Sequence, residues 1–236
     1  PDKDGRLKIL NVHSKNKKLD CGVSLEEIAR ISMGSSGADL ANIMNEAAIM
    51  AARDRRQFIS SHDIEEAYEK VTIGLKKNRK VSDEMKRLVA YHEAGHALIA
   101  AIVDGPETVR KVTIVPRGMA GGVTMFLPDE SSDSSLVSRS FLVNRIMVGL
   151  GGTVAEELIF GKENVTTGAS NDIIQVTNIA ESMVRRYGFS DTFGKVDLTH
   201  VENDQVSFEI QKIVSNAYKS TTSFMTAYED KLHGIA

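Results

Sequence analysis

A chain of 236 residues that is 42% hydrophobic and 26% charged has enough apolar side chains for one large or two smaller cores, and its formal charge of -3 offers no basic footprint for nucleic acid or an acidic membrane surface. The single Cys21 excludes an intrachain disulfide framework and a cysteine-based zinc site, which fits a reducing compartment. No run approaches the roughly 18 to 20 apolar residues of a spanning helix, and Pro1-Asp2-Lys3-Asp4-Gly5 is neither basic nor apolar enough for a signal peptide, so the chain as given is expected to be soluble.

In chain order, residues 1 to 75 read as a small bundle of short helices. Ser24 with Glu27, Ser36 with Asp39 and Ser60 with Asp63 each have the capping-box spacing before an apolar run. The longest helix, over Ala38 to Arg55, places Leu40, Ile43, Met44, Ala47, Ala48 and Ala51 on one face. Lys76-Lys77-Asn78-Arg79-Lys80 has the composition of a linker, and a domain boundary is expected over 76–82. Asp83 to Val103 carries helical periodicity until Gly105-Pro106 stops it. Val109 to Val115 and Gly122 to Leu127 read as a two-stranded ribbon, broken by Pro116-Arg117-Gly118 and Gly121-Gly122. Helices should resume at Ser134 and cover Ser135 to Leu150, Thr153 to Phe160, Ser170 to Arg186 and Gln205 to Leu232. The expected class is therefore mainly α: a small helical bundle, then a mostly helical domain over 83–236 with a short β-ribbon.

The chemistry lies in His92-Glu93-Ala94-Gly95-His96. Two histidines four residues apart on a helix project from one face and can clasp one Zn²⁺, leaving places for a third ligand and a water. Glu93 flanks that face. Its carboxylate suits a general base that takes a proton from zinc-bound water and returns it to the leaving amine, which is peptide hydrolysis. The small residues Ala94, Gly95, Ala97 and Ala100 allow another backbone to approach closely. For the third ligand, spacing alone leaves Glu156, Glu157, Asp172 and His200 open. Asp172 also suits the first turn of a helix after Thr167-Gly168-Ala169-Ser170, whatever its chemistry.

These residues resemble the FtsH family of membrane-anchored AAA+ zinc proteases. The resemblance rests on Ala90-Tyr91-His92-Glu93-Ala94-Gly95-His96-Ala97, Lys111 to Gly118, Gly151-Gly152 with Ala155-Glu156-Glu157, and Thr167-Gly168-Ala169-Ser170-Asn171-Asp172. It implies that Asp172 is the third ligand and that Glu156 orients a ligand imidazole by hydrogen bonding. It also implies an AAA+ C-terminal helical lid over residues 1–75, through Gly5 to His13 and Ser36 to Leu40, with Ile9, His13, Gly37 and Ala38 against the adenine of bound nucleotide. No Gly-x-x-x-x-Gly-Lys-Ser/Thr phosphate loop occurs in this chain, so ATP and Mg²⁺ are expected only in a longer protein that carries the ATPase core. Between Tyr187-Gly188-Phe189-Ser190 and Ile210 the chain has fewer residues than the family usually carries.

The resemblance further implies a homo-hexamer degrading unfolded or membrane polypeptides, anchored through segments absent here, with this part in the cytoplasm or an organelle interior. Substrate would lie extended along Gly121, Gly122, Val123, Thr124 and Met125, held by main-chain pairing with little sequence preference. Two rivals predict otherwise: an adaptor with purely structural zinc, which would want four protein ligands, and a nucleotide-binding module, which would bind ATP tightly by itself.

Overall fold

A computed structural model describes residues 1–77, 80–103, 107–118, 120–128 and 136–236. The described residues form nine α-helices: α1 (Lys3–Ser14), α2 (Leu25–Ile31), α3 (Gly37–Arg53), α4 (Ser61–Thr72), α5 (Asp83–Ile102), α6 (Arg139–Phe160), α7 (Ser170–Arg185), α8 (Asp204–Ala227) and α9 (Glu229–Ile235). One antiparallel pair, β1 (Glu107–Thr113) with β2 (Val123–Pro128), completes the mainly helical class expected from the sequence. Among the described residues, no helix is long and apolar enough to cross a membrane. The chain divides into two compact units, Pro1–Arg79 with Val115–Ala120, and Lys80–Ile114 with Gly121–Ala236.

In the first unit all three serines cap their helices, but only two of the three pairs form the capping box that their spacing predicts. Ser36 and Ser60 form reciprocal capping boxes with Asp39 and Asp63, while Ser24 accepts from the Glu27 amide and the Glu27 carboxylate pairs with Arg30. Asp63 is buried and bidentate with Arg56, at 2.6 Å to each guanidinium nitrogen. The apolar faces of α1, α2, α3 and α4 close on Leu10, Leu40, Ile43, Met44, Ile64 and Ala67. The turn at 115–120 docks on this bundle. Gly118 donates to Leu75 O at 3.1 Å, Lys77 donates to Pro116 O at 2.9 Å, and buried Arg117 reaches Glu66 at 2.8 Å and Glu69 at 2.7 Å. A Cβ on Gly118 would sit 2.3 Å from the Ile73 carbonyl oxygen, so only glycine permits this approach. Asn78 and Arg79 of the expected linker lie outside the described residues.

The second unit is built on the crossing of α5 and α6. Ser82 caps α5 by accepting from the Met85 amide. At the crossing, Cβ atoms added to Gly95 or Gly151 would lie 2.3 and 2.6 Å from the other helix's carbonyl oxygen, so backbone meets backbone. The sequence reading divides the region before Gly161 into two helices, but α6 is one continuous helix through Gly151-Gly152. The physical reason is that tertiary contact outweighs the low helix propensity of glycine, since these two positions pack against α5 and have no room for a side chain. Gly105-Pro106, Ser134 and Ser135 lie outside the described residues, and α6 begins at Arg139 behind its cap Ser138.

Fully buried Ile99, Ile146, Ala155, Ala180, Met225 and Leu232 draw α5 to α9 into one core. Each large apolar side chain among them contributes about 1.5–3 kcal/mol by leaving water. The expected last helix is two, α8 and α9, parted at Tyr228. The loop after α7 is pinned to α8 by buried Glu209, which accepts from Ser190 at 3.1 Å and Thr192 at 2.9 Å. The ribbon starts and ends close to expectation, with a register irregularity between Val109 and Lys111; Val115 belongs to the turn rather than to β1.

Candidate metal centre

His92 and His96, one helical turn apart on α5, are 9% and 8% exposed. Their Nε2 atoms lie 3.1 Å apart, and Asp172 Oδ2, from the first turn of α7, lies 3.3 Å from the first and 3.6 Å from the second. One ligand atom from each of the three falls within 4.8 Å of the others, the only such His/Cys/Asp/Glu group found among the described residues. Of the other carboxylates left open by spacing, Glu156 meets the opposite nitrogen of His92 and Glu157 accepts from the Tyr218 hydroxyl. His200 is exposed in the loop before α8 and takes no part in the group.

The outer nitrogens decide what this group can hold. His92 Nδ1 is 2.7 Å from Glu156 Oε1, and His96 Nδ1 is 2.7 Å from the Val148 carbonyl oxygen. Both partners accept, so both Nδ1 atoms carry the hydrogen, and a neutral ring then turns a bare lone pair inward at Nε2. Two lone pairs and a carboxylate facing one another repel unless a cation stands among them. Donors about 2.1 Å from an ion at tetrahedral angles are about 3.4 Å apart, a value the three observed separations bracket. The donor set therefore fits Zn²⁺. Without an ion a proton has to serve: burial disfavours a charged His92, but Asp172 and Glu156 prevail and push it up to about 9. Burial would likewise raise Asp172, yet the two imidazoles hold its carboxyl well below the usual range.

Glu156, fully buried on α6, joins two parts of the centre. Its Oε2 accepts from the Thr166 amide at 2.8 Å, tying His92 to the turn Thr167–Ala169 that leads into α7 and Asp172. Burial raises its carboxyl, but the His92 and Thr166 bonds outweigh this and keep it ionised. Gly152 forms the floor beneath the His92 ring, where an added Cβ would lie 2.5 Å from Cε1. Glu93, 7% exposed, is pushed up by burial against a 2.7 Å hydrogen bond from the Thr124 hydroxyl to its Oε2.

Of the expected substrate strand, Val123, Thr124 and Met125 lie in β2, while Gly121 and Gly122 precede it. Gly122 packs against Glu93, where a Cβ would lie 2.8 Å from Cγ. In the first unit, Ile9 of α1 meets the start of α3, with its Cδ1 3.7 Å from where a Gly37 Cβ would be; His13 follows one turn later on α1, and Ala38 is exposed. Sequence reasoning missed the Val148 carbonyl, the Gly152 floor and the Thr124 bond. Only the paired glycines inside a helical pattern could have signalled one of them.

Comparison with known proteins places this geometry. Residues 79–236 match the model of peptidase family M41, and residues 22–66 match the AAA+ lid domain. The chain is 47% identical to "ATP-dependent zinc metalloprotease FTSH 1, chloroplastic" of Arabidopsis thaliana, over all of this chain and 36% of that protein. It is 48% identical to the protein of the same name in Oryza sativa subsp. japonica, over all of this chain and 38% of that one. Against "ATP-dependent zinc metalloprotease FtsH 3" of Synechocystis it is 52% identical, over 84% of this chain and 32% of the relative. It thus spans little more than a third of the plant relatives' length. With two thirds of the chain matched around His92, His96 and Asp172, the chain belongs to peptidase family M41.

Proposed function

We propose that this chain is the peptidase part of an ATP-dependent zinc endopeptidase, with an AAA+ helical lid over 1–75, a linker over 76–82 and the peptidase domain over 83–236. The observation that carries the reading is the pair of Nε2 atoms 3.1 Å apart, each ring with its Nδ1 against an acceptor, and Asp172 beside both. His92, His96 and Asp172 would hold Zn²⁺, and Glu156 would keep the His92 ring in the ligating tautomer. When bound, the ion supplies Lewis acidity at the scissile carbonyl. Glu93 takes a proton from the attacking water and passes it to the leaving amine nitrogen. An extended peptide lies along the edge of β2 away from β1, held by main-chain hydrogen bonds; Gly121 and Gly122 keep the approach to that edge open.

The relatives' names support ATP dependence, with nucleotide contacted by Ile9, His13, Gly37 and Ala38 and with ATP and Mg²⁺ held mainly by an ATPase core outside this chain. The same reading takes unfolded or membrane polypeptides as substrates and a homo-hexamer as the assembly. It has membrane anchoring through segments outside this chain, with this part in the cytoplasm or, as the plant names suggest, an organelle interior. The test is Glu93→Gln at full zinc loading. Casein hydrolysis should fall at least about 100-fold with zinc content unchanged; hydrolysis at the parent rate would refute Glu93 as the base.

A further inference from the structure

We infer that Thr124 is a positioning residue for peptide hydrolysis: its hydroxyl binds one oxygen of the Glu93 carboxylate and so aims the other at the water. This rests on the reading of Glu93 as the base. Thr124 Oγ1 lies 2.7 Å from Glu93 Oε2 and 3.1 Å from the Glu93 carbonyl oxygen. The hydroxyl has one hydrogen, so it serves one acceptor at a time. With Glu93 ionised, it donates to Oε2. The proton from water goes to the other oxygen, Oε1, so Oε2 stays an acceptor and the hydroxyl goes on donating to it.

Oε2 therefore keeps the same donor before and after the transfer, and Thr124 gains and loses no proton. The water's proton goes to Glu93 and then to the departing amine nitrogen. The strand is built to hold this contact. Met125 and Leu127, on the opposite face of β2, are buried at 9% and 7% exposure, which fixes the register that turns Thr124 toward α5. Gly122, on the same face as Thr124, packs against the Glu93 Cγ and leaves space beside Oε1, where an added Cβ would stand 2.9 Å away. Oε1 makes no hydrogen bond among the described residues, so it is the oxygen left to meet water.

The test compares Thr124→Val, which keeps shape and strand propensity but deletes the hydroxyl, with Thr124→Ser, which keeps the hydroxyl. Each zinc-loaded protein is assayed on a quenched fluorogenic peptide, with zinc content and thermal melting measured alongside. For Thr124→Val we expect kcat to fall about tenfold to a hundredfold, with KM, zinc and melting unchanged. Thr124→Ser should recover to within about threefold. A Val variant as fast as the parent would overturn the inference, as would one that loses zinc or melts early, or a Ser variant as slow as Val. Failure of the zinc-loaded parent to cut any peptide would instead overturn the peptidase reading, and the role of Thr124 with it.

Discussion

Gly152 and Glu156 both act on the ring of His92, one of the proposed zinc ligands. Glu156 selects the tautomer from one side and Gly152 gives the ring its place from below. Gly152→Ala would push a methyl into the ring, so Zn²⁺ affinity should drop about tenfold or more in a chelator competition, although alanine is the better helix former. Glu156→Gln keeps the shape but weakens the hold on the Nδ1 hydrogen and should cost about 10- to 100-fold in affinity in the same assay. Unchanged affinity in both variants would mean that the ring is positioned by the metal rather than by its neighbours. The sequence made His92, Glu93 and His96 legible because one helical turn fixes their relation. Thr124 and Val148 reach the same site from β2 and α6, at distances along the chain that no local period encodes.

Among the helices, the decisive contact is the backbone crossing of α5 and α6 at Gly95 and Gly151. Gly95→Ala would gain about 1 kcal/mol in helix propensity, yet its methyl would lie 2.3 Å from the Gly151 carbonyl oxygen. The overpacking should win, giving a net loss of about 1–3 kcal/mol in urea unfolding followed by circular dichroism; a gain in stability would show that the helices can separate at no cost. In the first unit, Arg56 holds the Asp63 carboxyl well below the usual range, against the opposing effect of burial. A depressed folded-state value means stability that is present above the unfolded value near pH 4 and lost as pH falls through the folded one. Asp63→Asn should therefore be less stable than the parent at pH 7, with the gap closing below about pH 4. A gap that stays constant with pH would remove the ion pair as its cause. Helix existence was legible from the serine caps and apolar periods. The continuity of α6 was not, because glycine reads as a break wherever its packing partner is out of view.

Across the whole chain, two compact units share a polypeptide that visits the first unit twice, the second time at 115–120, where Arg117 is buried against Glu66 and Glu69. A basic residue in a Pro-Arg-Gly turn reads as solvent-exposed, so this return was hidden in the sequence; its ion partners lie about fifty residues upstream on α4. The match to peptidase family M41 covers the second unit and the lid match covers part of the first, in agreement with the mainly helical class read from the sequence. Metal binding by His92, His96 and Asp172 underlies every functional step proposed. It is tested most directly by elemental analysis of the purified chain and of its Asp172→Ala variant, with circular dichroism to confirm that both are folded. The expected result is stoichiometric Zn²⁺ in the parent and near-complete loss in the variant. Stoichiometric Zn²⁺ retained without Asp172, or none in the parent after exposure to the metal, would contradict the account.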